Sequence, residues 1–280
     1  MHMQDHEYLS KIGRGTHGTT YLMRSVRTKK LSVCKSFDVR HEKYGLREAN
    51  ILQSLSHRNI IKFMQKEEKE GSHYIFIEYA NYGNLENLNE YFRIKRLNTK
   101  FILAIYSQVI NALCYLHSKG IIHRDIKPGN ILLHKMSGVK FLEVKLCDFS
   151  LSSHRGEVSS AVVGTPYYMA PEIVSKEEYG ETVDVWSLGV CMYETVSGQR
   201  PFGGANKAAL KNEIVGKEIK KVPLCDEDLE KIILSCLAKR NRTTTFKLRK
   251  NRKVVVHLNY IALKLKEYES HCMNFRKVKS

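Results

Sequence analysis

The sequence contains no long hydrophobic run. None of its apolar stretches approaches the roughly 18 residues that a membrane-spanning helix needs, and the first residues, MHMQDHEYLSK, lack the apolar segment of a signal peptide. We therefore expect no transmembrane segment and an intracellular protein, in the cytoplasm, the nucleus or both.

Paired cysteines are also absent. The seven cysteines are scattered and never arranged as CxxC, which argues against a disulfide framework and against a zinc site. No internal repeat or low-complexity segment interrupts the chain. With 42% hydrophobic and 27% charged residues, the composition is that of a folded globular protein rather than a disordered one.

The charge is strongly positive and unevenly distributed. The chain carries a net charge of +17. Residues 239–280 contain thirteen lysines and arginines against two glutamates, and therefore account for +11 of that charge. Such a basic end suggests an acidic partner, which could be a nucleic acid, an anionic membrane surface or an acidic protein. The alternative is a solvated basic surface that aids solubility.

The hydrophobic pattern changes along the chain from strands to helices. Strand-like runs occupy most of residues 7–37 and then 60–64 and 73–79, with a helical pattern at 43–55 between them. From about residue 97 the apolar spacing is helical. This predicts an α+β fold with two lobes: a small β-rich N-lobe with one helix (1–77) and a larger, mainly helical C-lobe (85–245). Residues 78–84 would be the hinge and 246–280 a basic helical extension.

A glycine-rich motif, Gly13-x-Gly15-x-x-Gly18, lies between two strand-like runs. A dinucleotide-binding motif of the same spacing would need a helix directly after the glycines. Here the glycines would instead form the tip of a hairpin, whose backbone N–H groups could approach phosphate oxygens closely. Taken alone, the motif could equally be an incidental glycine-rich turn.

Further motifs follow in order. Lys35 ends a strand-like run, and Glu48 lies in the next helical segment. After them come HRDIKPGN at 123–130, DFS at 148–150, GTPYYMAPE at 164–172 and DVWSLG at 184–189. This order and spacing resemble the protein kinase family from Tyr8 to about Thr245. The position of Lys127 two residues after Asp125 is typical of serine/threonine kinases, and GTPYYMAPE resembles the NIMA-related ones.

The resemblance implies an enzyme that transfers the γ-phosphoryl group of ATP, bound with Mg²⁺, to serine or threonine hydroxyls of protein substrates. Asp125 would orient the acceptor hydroxyl and accept its proton late, while Lys127 would neutralise charge on the moving group. Asn130 and Asp148 offer the oxygen ligands that Mg²⁺ prefers. The nucleotide-binding positions it implies are Ile12, Gly13, Gly15, Gly18, Thr20, Val33, Lys35, Glu48, Ile77, Glu78, Ala80 and Leu132.

The resemblance also implies contacts between these positions. Lys35 would hold the α- and β-phosphates while paired with Glu48. Ile77 would lie behind the adenine ring, and the backbones of Glu78 and Ala80 would bind its edge. Further implied contacts are hydrogen bonds of Thr165 with Asp125 and Lys127, an ion pair between Glu172 and Arg242, and a packed column of Leu52, Phe63, His123 and Phe149.

The sequence departs from the family pattern at several positions. Ser150 replaces the glycine of Asp-Phe-Gly, which removes backbone freedom at positive φ. Asn84 and Gly129 stand where arginine-directed kinases have acidic residues, and we therefore expect no preference for an upstream arginine. Arg124 would pair with a phosphorylated activation loop, with Ser159 or Ser160 as the phosphosite.

The end of the chain leaves several interpretations open. A seam of Val254, Leu258, Ile261, Leu265, Tyr268 and Cys272 has heptad-like spacing. This seam could pack on the C-lobe, or it could associate with a second copy or a partner. Two rivals to an active kinase remain: a binding or scaffolding pseudokinase, suggested by Ser150, and a nucleic-acid-binding module at the basic end.

Overall fold

A computed structural model describes residues 5–92, 97–135, 142–157 and 162–257. These residues form a small lobe built on one antiparallel sheet and a larger lobe built mainly of helices. The predicted α+β class and the two unequal lobes are therefore confirmed. The seam residues from Leu258 onward and the candidate phosphosites Ser159 and Ser160 lie outside the described residues.

The small lobe consists of a sheet and one helix. Its strands are β1 (His6–Arg14), β2 (Thr19–Ser25), β3 (Leu31–Phe37), β4 (Phe63–Lys69) and β5 (Ser72–Glu78). They form a five-stranded sheet in the order β1-β2-β3-β5-β4. Helix α1 (Glu42–Gln53) follows β3. The short 3-10 turn before it is capped by Asp38, whose carboxylate accepts a hydrogen bond from the backbone N–H of His41.

One strand differs from the sequence expectation. The apolar run at 60–64 was expected to be a strand, but β4 begins only at Phe63 and continues through polar residues. Partly buried and exposed residues alternate along β4, because one face of this antiparallel strand meets solvent. Ile60 and Ile61, each 2% exposed, instead join the two lobes, since the N–H of Ile61 donates to the carbonyl of Leu146 at 2.9 Å.

The large lobe is built around buried helices. Its helices are α2 (Leu85–Phe92), α3 (Thr99–Ser118), α4 (Pro171–Val174), α5 (Thr182–Ser197), α6 (Lys207–Gly216), α7 (Glu227–Cys236), α8 (Thr245–Lys250) and α9 (Arg252–His257). Four short strands complete it: β6 (Ile121–Ile122) pairs with β9 (Ser153–His154), and β7 (Ile131–Lys135) with β8 (Leu142–Leu146). β5 ends and α2 begins at the borders of the predicted hinge.

Helix α3 is the central helix of this lobe. Asn98 caps its start by accepting a hydrogen bond from the N–H of Phe101 at 2.8 Å. By length and composition α3 is the one helix among the described residues that could cross a membrane, but 78% of its apolar window is buried inside the lobe. Its hydrophobic side chains therefore form the protein core.

An ion pair braces the lower part of the large lobe. Arg242 binds both carboxylate oxygens of Glu172, at 2.6 and 3.0 Å, and its guanidinium lies 4.9 Å from the centre of the Trp186 ring. This confirms the expected Glu172–Arg242 pair. Beyond it, α8 and α9 pack against α3, burying Leu248 and Val254. Residues 245–257 thus continue the core of the large lobe.

Candidate active site

The glycine-rich motif forms the turn between β1 and β2. Gly13 is still part of β1, where it pairs with Thr20. The turn is closed by a hydrogen bond from the N–H of Gly15 to the carbonyl of Gly18 at 2.9 Å. Gly18 passes so close to β3 that a Cβ there would lie 2.4 Å from the carbonyl oxygen of Ser36. The motif is therefore a hairpin tip, as the flanking strand patterns predicted.

Lys35 connects the sheet, helix α1 and the segment after β8. Its Nζ lies 2.6 Å from Glu48 Oε1 and 3.2 Å from Asp148 Oδ1. Burial works against the charge of Lys35, but the carboxylates of Asp148 and Glu48 outweigh it and raise the pKa of Lys35 above its ordinary value. A permanently charged ammonium group therefore stands at the inner end of the cleft, and the expected Lys35–Glu48 pair is confirmed.

Asp125 lies at the centre of a second set of polar contacts. Lys127 Nζ donates to Asp125 Oδ2 at 2.7 Å and to Thr165 Oγ1 at 2.9 Å, while Thr165 Oγ1 donates to Asp125 Oδ1 at 2.8 Å. The Asn130 amide nitrogen donates to Asp125 at both its backbone oxygen, 2.8 Å, and Oδ2, 3.0 Å. The contacts expected of Thr165 are confirmed. They hold the Asp125 carboxylate in one orientation.

Asp184, a buried carboxylate beneath the site, fixes the backbone of this loop. It accepts hydrogen bonds from the N–H of His123 at 2.9 Å and of Arg124 at 2.8 Å. The His117 ring lies 2.9 Å from the same carboxylate. Burial alone would raise the pKa of Asp184, but the bond from His117 holds it below its ordinary value. The motif DVWSLG contained this residue, but its spacing alone did not indicate the contact with the loop.

A close approach between two backbone segments explains why a glycine is needed at position 164. Its φ of +110° lies in a region that other residues avoid, and a Cβ would come within 2.6 Å of the carbonyl oxygen of Arg124. Only glycine allows this segment to pass over the loop that carries Asp125. The next residue, Thr165, is thereby brought to its hydroxyl contacts.

Ser150 has a different part in the structure from the one the sequence suggested. The sequence argument concerned lost freedom at positive φ, but it is Asp148, at φ +66°, that has this conformation. Ser150 is 4% exposed, and its hydroxyl donates to Asp148 Oδ1 at 2.9 Å. Burial would raise the pKa of Asp148, yet Lys35 and the Ser150 hydroxyl hold it well below its ordinary range. Asp148 is therefore an anion.

Phe149 packs beneath this segment. It is fully buried and meets the His123 ring edge-on, with centroids 4.8 Å apart. Burial lowers the pKa of His123, and this ring is neutral. Leu52 and the partly buried Phe63 belong to the main core cluster that also contains Phe149. The packed column of all four side chains stays a prediction.

A cavity of about 400 Å³ joins these groups between the two lobes. Its walls include the hairpin tip, Lys35, the Asp125 loop and the segment that ends at Thr165. The predicted site residues that line it are Gly15, Gly18, Thr20, Lys35, Asp125, Lys127 and Asp148. Thr16, His17 and Tyr44 line it too, although the sequence argument did not name them.

The other predicted nucleotide-binding residues lie outside this lining. Glu48 is buried behind Lys35, and Val33 faces Ile77 across neighbouring strands. The backbone N–H of Glu78 already donates to the backbone carbonyl of Lys62 at 3.0 Å. Of the two backbone groups of Glu78, only the carbonyl therefore remains for a hydrogen bond with an adenine. Ile12, Gly13, Ala80 and Leu132 likewise do not line the described cavity. Their contact with an adenine ring stays a prediction.

The donor set suits a magnesium–triphosphate group. Asp148 provides a carboxylate, and because the amide nitrogen of Asn130 is engaged with Asp125, the amide oxygen is the end left for a cation. Within the described residues no group of three or more His, Cys, Asp or Glu side chains could hold a metal. Mg²⁺ commonly completes such a sparse protein site with phosphate oxygens and water. The ammonium groups of Lys35 and Lys127 add charge complementary to phosphate.

The fold and the site define a bilobal phosphotransferase, and the comparisons with known proteins agree. The family described as "Protein kinase domain" matches residues 6–252. A probable serine/threonine-protein kinase nek3 of Dictyostelium discoideum is 34% identical over 84% of this chain and 22% of its own length. A putative serine/threonine-protein kinase A of Trypanosoma brucei brucei is 33% identical over 78% of this chain and 53% of its own length.

This chain belongs to the protein kinase family, and the relatives it resembles are named serine/threonine kinases. The predicted family and its bilobal fold are thus confirmed. An Aurora kinase of Yarrowia lipolytica matches at the same 34% identity as the Dictyostelium protein, so the comparisons assign the family and not a subfamily. The chain spans only about a fifth to a half of the first relatives' length. The family implies ATP as phosphoryl donor, typically with Mg²⁺.

Proposed function

We propose that this chain transfers the γ-phosphoryl group of ATP to serine or threonine hydroxyls of proteins. The observation that carries the proposal is a pair of polar centres that meet at one cleft. Lys35, Glu48 and Asp148 form the first, while Asp125, Lys127 and Thr165 form the second. The first suits a triphosphate, and the second suits an incoming hydroxyl.

In the proposed reaction, an acceptor hydroxyl lies against the Asp125 carboxylate, which orients its oxygen toward the γ-phosphorus. A bond forms between that oxygen and phosphorus, the bond to the β–γ bridging oxygen breaks, and ADP leaves with the electron pair. The hydroxyl proton passes to Asp125 late in the transfer. Lys127, already bound to Asp125 and Thr165, neutralises charge on the moving phosphoryl group.

The nucleotide would lie between the hairpin tip and the hinge. Lys35 would bind the α- and β-phosphates, and Asn130 and Asp148 would hold Mg²⁺, which neutralises phosphate charge. Thr20, Val33 and Leu132 would enclose the adenine ring, with Ile77 behind it. The pseudokinase alternative has less support, because Lys35, Glu48, Asp125, Asn130 and Asp148 are all present and Lys35 already contacts both of its carboxylate partners.

Regulation by phosphorylation is a further part of the proposal. Arg124 lies beside a cavity of about 610 Å³ whose lining includes Lys43, Arg47 and His154. Arg124 now donates to the carbonyl of Leu151 at 2.6 Å. A phosphate on the nearby activation segment would find several cationic groups here. The intracellular location, an acidic partner and self-association through the basic end stay predictions from the sequence.

The decisive test is transfer of label from γ-labelled ATP and Mg²⁺ to a general protein acceptor. We expect phosphoserine or phosphothreonine in the product, and a loss of at least about a hundredfold for Asp125→Asn. The matched control is Asp228→Asn, which removes an exposed carboxylate on α7. Nucleotide binding without any transfer would favour the pseudokinase, and phosphotyrosine would overturn the proposed acceptor.

The role of the basic end is tested by shortening the chain. A chain ending at residue 257 keeps the buried Leu248 and Val254, which an end near residue 245 would remove. If phosphoryl transfer is the main function, the chain ending at residue 257 keeps its activity. Salt-sensitive nucleic-acid binding that weakens when residues 258–280, with five of the thirteen lysines and arginines of the basic end, are removed would instead support the nucleic-acid-binding alternative.

A further inference from the structure

The tip of the glycine-rich hairpin contacts helix α1 through two aromatic rings. His17, in the turn between β1 and β2, stacks on Tyr44 with ring centroids 3.8 Å apart and an angle of 24° between the planes. Both rings line the cavity that also contains Lys35, Asp125 and Asp148. We call this contact the His17–Tyr44 stack.

Tyr44 connects the stack to the ion pair at the inner end of the cleft. It lies four residues before Glu48 on α1, and side chains at this spacing share one face of a helix. Glu48 in turn binds Lys35 at 2.6 Å. Tyr44 also packs against the main hydrophobic core. The hairpin tip is therefore linked through one helical turn to the residue that positions Lys35.

Among the described residues, few contacts hold the hairpin tip besides its strand pairing and the close approach of Gly18 to β3. Residues 11–16 are exposed, and the hydrogen bond that closes the turn, from Gly15 to Gly18, is internal to it. Outside the stack, His17 meets His41 edge-on at 5.8 Å. His41 is held by Asp38, whose carboxylate oxygen lies 2.8 Å from the His41 ring nitrogen. A stacked pair of rings contributes only a small stabilising free energy. That contribution matters at the hairpin tip, because so few other contacts keep the hairpin closed.

We propose that His17 is a positioning residue for the nucleotide: its stacking on Tyr44 holds the hairpin tip over the phosphate end of the cleft and couples the tip to α1. This inference rests on the proposed phosphotransferase function. In this proposal the His17 side chain acts as a flat stacking ring and not as a phosphate ligand. A phenylalanine at position 17 should therefore replace it, and an alanine should not.

The first measurement needs neither nucleotide nor activity. In a chain with isotope-labelled histidine, the ring protons of His17, assigned by their absence in His17→Phe, should be shifted upfield by the Tyr44 ring current. Tyr44→Ala should remove the shift and Tyr44→Phe should keep it. An unshifted His17 in the wild type would overturn the stack itself, whether or not the protein is a kinase.

The second measurement is a double-mutant cycle on ATP affinity and on kcat and KM for ATP. His17→Ala and Tyr44→Ala should each weaken ATP affinity by about twofold to tenfold, with the change in KM rather than kcat. The double variant should bind ATP no more weakly than the weaker-binding of the two single variants. His17→Phe and Tyr44→Phe should remain close to wild type, as should the controls Lys11→Ala in β1 and Val39→Ala before α1.

Three results would overturn the inference while leaving the proposed function intact. Additive losses in the double variant would show that the rings act separately. A loss in His17→Phe equal to that in His17→Ala would indicate a direct imidazole–phosphate contact. Unchanged ATP affinity in His17→Ala, with the upfield shift present in wild type, would mean that the stack has no part in nucleotide binding. Absence of ATP binding in the wild type itself would count against the proposed function.

Discussion

The two loops that face each other across the cleft are held in different ways. The catalytic loop, residues 123–130, is buried: His123 is 0%, Asp125 7% and Asn130 6% exposed. Its backbone is bound from below by Asp184, and its side chains bind one another. The glycine-rich tip, residues 13–18, is mostly exposed and closed by a bond within itself.

This difference matches the two tasks that we propose for these loops. A carboxylate that must orient a hydroxyl loses rate when it moves, so a preorganised loop favours transfer. A hairpin that covers the nucleotide must open to release ADP, and few contacts allow that opening. Changes below the catalytic loop should therefore lower kcat and stability together, whereas changes at the exposed residues of the hairpin tip should act mainly on nucleotide binding.

The largest expected effect comes from breaking the support of the catalytic loop. Asp184→Asn replaces a buried anion that accepts two backbone N–H groups, and we expect a loss of about 2 to 3 kcal/mol in the free energy of unfolding at neutral pH. Transfer should slow as well. Chemical denaturation followed over a pH series measures the effect.

The pH dependence follows from the sign of the Asp184 shift. Because its pKa is lower in the folded protein, Asp184 stabilises the fold at pH values above its unfolded pKa, and this contribution disappears as the pH falls through the folded pKa. The difference in the free energy of unfolding between wild type and Asp184→Asn should therefore be largest near pH 7 and become smaller toward strongly acidic pH. An equal difference at every pH would contradict the assigned role of the charge.

Within the hairpin, two glycines offer a matched pair. Gly18→Ala would place a Cβ 2.4 Å from the Ser36 carbonyl, so the strands must shift, and we expect a loss of about 1 to 3 kcal/mol and a raised KM for ATP. At Gly13 a Cβ would meet nothing within 4 Å. Gly13→Ala should leave the thermal unfolding temperature unchanged. If both variants unfold alike, close packing is not the reason for Gly18.

The smallest expected effect is at Ser150, which lies between the two regions. Ser150→Ala removes the hydroxyl that donates to Asp148 Oδ1, and we expect the Mg²⁺ concentration for half-maximal transfer to rise by about twofold to tenfold. Ser150→Gly should behave like Ser150→Ala, since both lose the donor. If Ser150→Ala keeps the wild-type Mg²⁺ dependence while Ser150→Gly changes it, the serine acts through its backbone conformation instead.

The sequence predicted the fold well where local patterns and tertiary burial agree. The strand patterns around the glycines and Lys35 match β1, β2 and β3, and the helical spacing at 43–55 matches α1. It placed the start of β4 too early: Phe63 and Met64 do begin this strand, whereas Ile60 and Ile61 serve contact between the lobes. A hydrophobic run indicates that a segment is buried, but it does not indicate which part of the protein the segment packs against.

The candidate site was predictable to the extent that it resides in motifs. The Thr165 contacts and the Lys35–Glu48 pair followed from the resemblance to the kinase family. The His17–Tyr44 stack and the Ser150–Asp148 bond did not, because no spacing or motif in the sequence indicates where these side chains point. The bond from Asp184 to the catalytic loop spans about sixty positions of chain. No sequence period reports such contacts.

The most direct test of the account compares nucleotide affinity with transfer rate in Asp125→Asn, using titration of ATP and Mg²⁺ beside single-turnover labelling. If Asp125 acts on the acceptor hydroxyl while Lys35 and Asp148 hold the nucleotide, affinity should stay within about threefold of wild type while transfer falls at least about a hundredfold. Transfer that persists in this variant, or an affinity that falls as far as the rate, would contradict these separate roles of Asp125 and the nucleotide-binding residues.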